Sequence, residues 1–312
     1  MTSSESPASP PQKKSHLAAI FQALLVTFLW STSWVLIKFG LDDIPAFTFA
    51  GLRYSLAFFL LLPVFIRSGQ ARLLPHLDRK QWLRLALLGL VYYTITQGTQ
   101  FLGLKLLPAI TFSLLLNLSA PLVALLSIPL LKEMPTRLQW LGIGVFIVGV
   151  ILYFMRSLSM PGWVGLLVGL ASVVATSTAS IIGRGINRMG KLPALTVTVV
   201  SMGIGGILLL AVGLLVEPLP SMGLPQWGLV LWLALINTAF AFTLWNHTLR
   251  ILSATESSMI NNTMLVQIAV LAWVFLGERP GVVQWIGMAF ALAGTIMVNL
   301  KRTSPAAPKS PG

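Results

Sequence analysis

The stretch Leu131–Gly142, LKEMPTRLQWLG, decides how this chain is read, because it occurs a second time at Leu276–Gly287 as LGERPGVVQWIG. Six of the twelve places are shared: Leu, Glu, Pro, Gln, Trp and Gly. Glu133 and Glu278 set the offset at 145 residues, and the same offset pairs Lys105 with Arg250, Ala109 with Ala254, Ser113 with Ser258, Asn117 with Asn262 and Gly149 with Gly294. Apolar helices share Leu and Gly by composition alone. Shared Glu, Pro, Gln and Trp in one window do not arise that way, so the pattern reads as a duplication.

The surroundings are those of a membrane protein. Of 312 residues 56% are hydrophobic and 9% charged, with a mean hydropathy of +0.85. A soluble domain carries roughly 25% charged residues. A bilayer-spanning helix needs about 20 mostly apolar residues. Ten such stretches are read, near 17–37, 46–67, 82–104, 107–131, 137–155, 161–183, 194–216, 227–248, 256–276 and 281–299. The tails 1–16 and 300–312 are Ser-, Pro- and Lys-rich and are expected to be disordered. The first stretch is too long for a signal peptide and lacks a cleavage site, so it is read as a retained helix. With no cysteine, disulfides and thiolate metal sites are excluded.

The net charge of +13 does not point to nucleic acid. Ten helices put both termini on one side. Of the 21 Lys and Arg, Lys38, Lys105, Arg156 and Arg279 fall on the other side, Arg53 lies inside a helix, and the remaining sixteen fall on the terminal side. That bias makes the terminal side the cytoplasmic one and gives it affinity for an anionic leaflet; the expected location is the bacterial inner membrane.

Five stretches precede the join near 156–161 and five follow, so the second copy enters the bilayer inverted. The expected fold is an all-α membrane protein of ten helices, two inverted five-helix repeats (17–156 and 161–299) around a central cavity. The L-x-E-x-P…Q-x-x-G signature, with FLWSTSWVLIKFG (28–40) and FTFAGLRYSLAF (47–58), resembles the EamA type of the drug/metabolite transporter superfamily over almost the whole chain. That resemblance implies alternating access and export of amino acids, other small metabolites or toxic organic compounds. One departure stands out. The family tends to carry Pro in the middle of the fourth helix of each half; Pro121 fits, but its partner by offset is Val266. The ninth helix is therefore expected to be straighter.

Polar groups at membrane depth are costly and tend to face a cavity. By helical spacing, Tyr93, Thr96, Gln97 and Gln100 share a face, as do Trp30, Ser33 and Trp34, and Asn237, Ala241 and Trp245. The candidate substrate-binding set is Trp30, Arg53, Tyr93, Gln97, Gln100, Asn117, Asn237, Trp245 and Asn262. Hydroxyls in such helices also serve as contacts between helices. Arg53 can snorkel to the interface, or with Lys38 form an electropositive site for a substrate carboxylate. The candidate gate or hinge set is Lys38, Pro121, Glu133, Pro135, Glu278 and Pro280. Each Glu is expected to complement the dipole of the helix its Pro begins.

The expected activity is secondary transport of a small metabolite, outward, with efflux of amphipathic drugs as the alternative. Three scattered histidines make no enzyme site, a non-transporting scaffold leaves the polar stripes without a role, and no phosphate-binding loop points to ATP. No cofactor and no metal are expected. The partners are a small-molecule solute and the bilayer, not nucleic acid, and the oligomeric state is open.

Overall fold

The computed structural model describes residues 11–131, 134–155, 162–188, 192–249, 251–252 and 254–299. Glu133, Lys132, the join at 156–161 and the tail at 300–312 lie outside them. Everything described is helix or short connection, and no strand occurs among the described residues. The helices are α1 (Pro11–Gly40), α2 (Ala46–Arg67), α3 (Arg79–Leu88), α4 (Gln97–Leu106), α5 (Ala109–Asn117), α6 (Ser119–Leu131) and α7 (Arg137–Met155). The second half supplies α8 (Trp163–Arg188), α9 (Ala194–Val216), α10 (Leu224–Ala234), α11 (Ala241–Thr248), α12 (Ala254–Asn262), α13 (Met264–Leu276) and α14 (Val282–Asn299). Helix α1 begins at Pro11, six residues before the apolar run at Leu17. Pro is preorganised for a first helical turn, so a polar lead-in can extend the helix where a disordered tail was expected.

Nine helices among the described residues are long and apolar enough to cross a membrane. The stretch expected at 82–104 is helical as well, over Arg79–Leu106, but is not among the nine. It carries Arg84, Gln97, Gln100 and Lys105, which dilute its apolarity. It is also not one α-helix. Gly89–Thr96, between α3 and α4, has i→i+5 hydrogen bonding, and so does Leu235–Phe240 between α10 and α11. These two π-helical turns lie one 145-residue offset apart to within a residue. Each adds a residue to a turn and rotates everything after it.

Outward-facing positions are apolar, with Phe21, Leu83, Leu141, Val174, Leu215 and Trp273 all exposed. Water would not support such a surface; hydrocarbon does. Inside, close approach replaces the hydrophobic effect as the packing device. Helices α7 and α14 run antiparallel against each other. A Cβ on Gly142 would meet the Gly294 carbonyl at 2.8 Å, and one on Gly287 would meet the Gly149 carbonyl at 2.7 Å. The four Gly that the 145-residue offset relates thus face each other backbone to backbone, Gly142 against Gly294 and Gly149 against Gly287. Helices α2 and α9 make a second such pair, where Gly213 leaves no room for a side chain beside Thr48.

The Gln of the signature acts at helix starts. Gln139 Oε1 accepts from Thr136 N at 2.8 Å, and Gln284 Oε1 accepts from Gly281 N at 2.8 Å. These are the reciprocal half of a capping box, satisfying an amide that a helix start leaves open. Pro135 and Pro280 therefore stand before the capping residues rather than in the first turns, where they were expected. Gly277, at φ 68°, ends α13 in the left-handed region that only Gly adopts without strain.

Helix α13 does not continue α12 without a break. The pair α5 and α6 is interrupted at Leu118 (φ −58°, ψ −20°), and the pair α12 and α13 at Thr263 (φ −63°, ψ −20°), again 145 residues on. The ninth helix thus carries the same one-residue interruption as the fourth, although Val266 stands where the fourth has Pro121.

Candidate functional site

Two adjoining cavities lie between the halves. The first, about 310 Å³, has walls from Trp30 and Trp34 of α1, Arg53 and Tyr54 of α2, and Gln97 and Gln100 of α4. Tyr92 from the π turn and, from the second half, Thr176, Phe242 and Asn261 complete it. The second, about 360 Å³, is lined by Asn117, Ser119 and Ser180, with Asn262, Thr295 and Asn299 opposite. Trp34, Leu116, Asn261 and Met264 belong to both.

Arg53 does not snorkel away. It is 4% exposed, its Nε donates to Thr238 Oγ1 at 2.9 Å, and its guanidinium carbon sits 5.3 Å from the centre of the Tyr54 ring. Thr238 Oγ1 in turn donates to the Leu233 carbonyl at 2.8 Å, five residues back, which is the spacing a π turn opens. Among the described residues no carboxylate comes within 4.0 Å of the guanidinium, and its terminal nitrogens have no partner. Asp43, ten residues before Arg53 in the chain, accepts instead from Gln226 Nε2 at 2.9 Å. A guanidinium carries five N–H donors, so four of them remain available to whatever enters the cavity.

Beside it, Tyr54 donates to Gln97 Oε1 at 2.7 Å, which orients the Gln97 amide. Trp30 packs against Phe242 and Trp245, with ring centres 5.4 Å and 5.3 Å away. The polar end of the first cavity thus faces an aromatic wall.

Of the nine candidates, Trp30, Arg53, Gln97 and Gln100 line the first cavity, and Asn117 and Asn262 the second. Tyr93, Asn237 and Trp245 line neither. Tyr93 is buried, packed edge-on against Tyr54 and Tyr92. Asn237 donates to the Leu29 carbonyl and, at 3.3 Å, to Thr32 Oγ1, so it ties the second π turn to α1. The cause is common to both. Regular helical spacing puts Tyr93 in phase with Gln97, but the intervening π turn shifts the phase by one residue and presents Tyr92. The same shift puts Phe242 at the cavity in place of the Asn237–Ala241–Trp245 stripe. The two turns, GLVYYTIT and LINTAF, share no local signal that marks them in the sequence.

Two of the charged gate candidates, Lys38 and Glu278, make their contacts away from the cavities. Lys38 Nζ donates to the Leu104 and Leu107 carbonyls at 2.5 Å and 2.7 Å, closing the C-terminus of α4. That is the favoured end for a cation, and it separates Lys38 from Arg53 in role. Glu278 does not serve α14, the helix after its Pro. Its carboxylate accepts from Ala109 N at 2.5 Å and Ile110 N at 2.9 Å, so it caps α5. Glu217 treats α2 the same way, accepting from Phe47 N at 3.0 Å and Thr48 N at 2.8 Å. Both α2 and α5 follow a Pro that has no capping side chain, and both borrow a carboxylate from the other half. No group of three or more metal-ligating side chains occurs among the described residues.

Residues 17–155 and 163–300 each match the model of the EamA-like transporter family. An uncharacterized transporter of Archaeoglobus fulgidus is 27% identical over 290 residues, 89% of this chain and 96% of its own length. The S-adenosylmethionine/S-adenosylhomocysteine transporter of Chlamydia muridarum is 26% identical over 286 residues, 86% of this chain and 88% of its own. A solved crystal structure 21% identical in sequence shares the fold with a TM-score of 0.64, over 92% of this chain and 98% of that one. The chain belongs to the EamA-like transporter family, as its repeated signature suggested, and is a multi-pass membrane transporter.

Proposed function

We propose that this member of the EamA-like transporter family exports a small organic solute bearing a carboxylate, an amino acid or a relative of one, by alternating access. The carrying observation is Arg53, a buried cation at a cavity wall with one protein hydrogen bond and, among the described residues, no counter-anion. A desolvated charge without a partner is expensive. A carboxylate entering the cavity supplies both the missing charge and two acceptors in the planar geometry that suits a guanidinium. The aromatic wall of Trp30 and Phe242 suits the apolar part of the solute. The cargoes in the name of the Chlamydia relative each carry an amino-acid carboxylate, which agrees with this reading. Efflux of cationic dyes is disfavoured, because Arg53 would repel them.

In the bilayer the fold is read as ten crossings in two inverted halves, Arg79–Leu106 being the tenth, with both termini cytoplasmic in the inner membrane. The paired π turns and paired interruptions at the same offset support the duplication, and the antiparallel packing of α7 on α14 agrees with an inverted second copy. Among the described residues no carboxylate lines either cavity, and in this reading the solute's own gradient or exchange is the drive.

Arg53→Gln in reconstituted full-length protein is expected to lower carboxylate-solute transport at least tenfold, and Arg53→Lys to recover little, because an ammonium cannot bind bidentately. Unchanged transport by a folded Arg53→Gln protein would remove Arg53 from the site.

A further inference from the structure

We infer that Thr238 is a positioning residue for the solute. It holds the Arg53 guanidinium by Nε, so that a carboxylate meets the Nη1/Nη2 edge, and the π turn Leu235–Phe240 is what brings its hydroxyl to Arg53. The inference rests on the carboxylate reading of Arg53 and adds what fixes the direction of that contact.

Thr238 is fully buried and lines neither cavity, so it acts on a solute only through Arg53. Its Oγ1 carries one proton, directed at the Leu233 carbonyl at 2.8 Å. A carbonyl only accepts, so toward α2 the hydroxyl presents a lone pair, and Arg53 Nε donates to it at 2.9 Å. The reach of the hydroxyl is set by the turn. Within the regular helix α8, Ser177 and Thr178 bond the carbonyls of Val173 and Val174, four residues back. Thr238 bonds five back, as Thr96 does to Val91 in the other π turn at 2.9 Å. Rewound as α-helix, the segment would turn the hydroxyl toward the Ala234 carbonyl instead.

A carboxylate docks on a guanidinium side-on, at Nε and Nη2, or end-on, at Nη1 and Nη2. With Nε committed to Thr238, the end-on edge remains, and it is held in one plane before the solute arrives. An untethered side chain would have to be ordered on binding, at a cost in affinity. The same turn also sets the aromatic wall. Asn237 donates to the Leu29 carbonyl and to Thr32 Oγ1 of α1. Adjacent residues of one second-half turn are thus tied to the two first-half helices that carry Trp30 and Arg53. In the first-half turn Thr96 makes its five-residue bond with no cation on it among the described residues, which makes it the matched control.

The test uses full-length protein in proteoliposomes with L-methionine, L-leucine and L-phenylalanine, each against its carboxamide, in which the carboxylate is replaced by a neutral group. The acid-over-amide ratio of kcat/KM reads the guanidinium contact. Thr238→Val keeps the shape and removes the hydroxyl. It is expected to raise KM for the acids about tenfold with kcat within about twofold, and to lower the ratio to the same degree. Thr238→Ser is expected to restore both, and Thr96→Val to keep the ratio. Added to Arg53→Gln, Thr238→Val is expected to lower the ratio no further, because its effect passes through Arg53. An unchanged ratio in Thr238→Val, an equal loss for acids and amides, a loss of the ratio in Thr96→Val, or a further loss in the double variant overturns the positioning role. Thr238→Ala stands in if the Val variant does not fold, and failure of both to fold makes the hydroxyl structural and overturns the role too. If Arg53→Gln abolishes the preference while Thr238→Val keeps it, the carboxylate reading stands and the positioning role falls. If wild type moves none of the acids or does not prefer them, or Arg53→Gln keeps the preference, the carboxylate reading falls and the positioning role with it.

Discussion

The interruption between α5 and α6 and the one between α12 and α13 have nearly the same backbone at equivalent residues, Leu118 and Thr263, yet they are made differently. In the first half Pro121 forces the break. It has no N–H, and its ring clashes with the carbonyl four residues back, Asn117, where α5 ends. In the second half Val266 forces nothing. There the turn is held by side chains: Thr263 Oγ1 donates to the Ile260 carbonyl at 2.6 Å, and Gln267 Nε2 donates to Thr263 Oγ1 at 3.0 Å. Gln267 also reaches α1, donating to Thr27 Oγ1 at 3.3 Å and accepting from Ser31 Oγ at 2.9 Å. The break is thus a property of the site, because it presents Asn117 and Asn262 to the second cavity, and chemistry that yields the same geometry can replace Pro.

Three substitutions would break or sharpen this comparison. The largest effect is expected from Pro121→Ala, which lets the helix rejoin. Relief of a Pro in a helix interior is worth up to about 3 kcal/mol. Tm should therefore rise while transport falls tenfold or more, and a variant with full transport would show that the break is incidental. Gln267→Leu comes next. It removes the bond to Thr263 at the start of α13 and the two bonds to α1, the latter each worth about 0.6–2 kcal/mol between membrane helices. A lower Tm is expected, with a slower transport rate. The smallest effect is expected from Val266→Pro. In an unbroken helix it would cost about 3 kcal/mol; here the chain has already turned at Thr263, so thermal stability should change by less than about 1 kcal/mol. A protein that unfolds on this change would mean that the two breaks are not equivalent.

Much of the fold was legible in the chain. The 145-residue offset, the apolar stretches and the Gly pairs of α7 and α14 are periodic and local, and helices in a bilayer must satisfy their own backbones. Half of the site was legible for the same reason: Arg53, Gln97 and Asn262 are costly at membrane depth unless they face something polar. The other half was hidden by phase. A single π turn moves every later side chain by about 100°, and nothing in Tyr92-Tyr93 says which of the two survives as lining. Glu278 was misread for a different reason. Its partners, the Ala109 and Ile110 amides, are 169 and 168 residues away, and only packing brings a borrowed cap to its helix.

By itself, then, the sequence determined a duplicated helical membrane protein of this family and its costly polar residues, because composition and period are written along the chain. Tertiary structure alone decided which of those residues meet in a cavity, which close a neighbouring helix, and that a Val can stand where a Pro was expected. Those outcomes depend on helix phase and on contacts between the two halves, and neither is encoded at any one position.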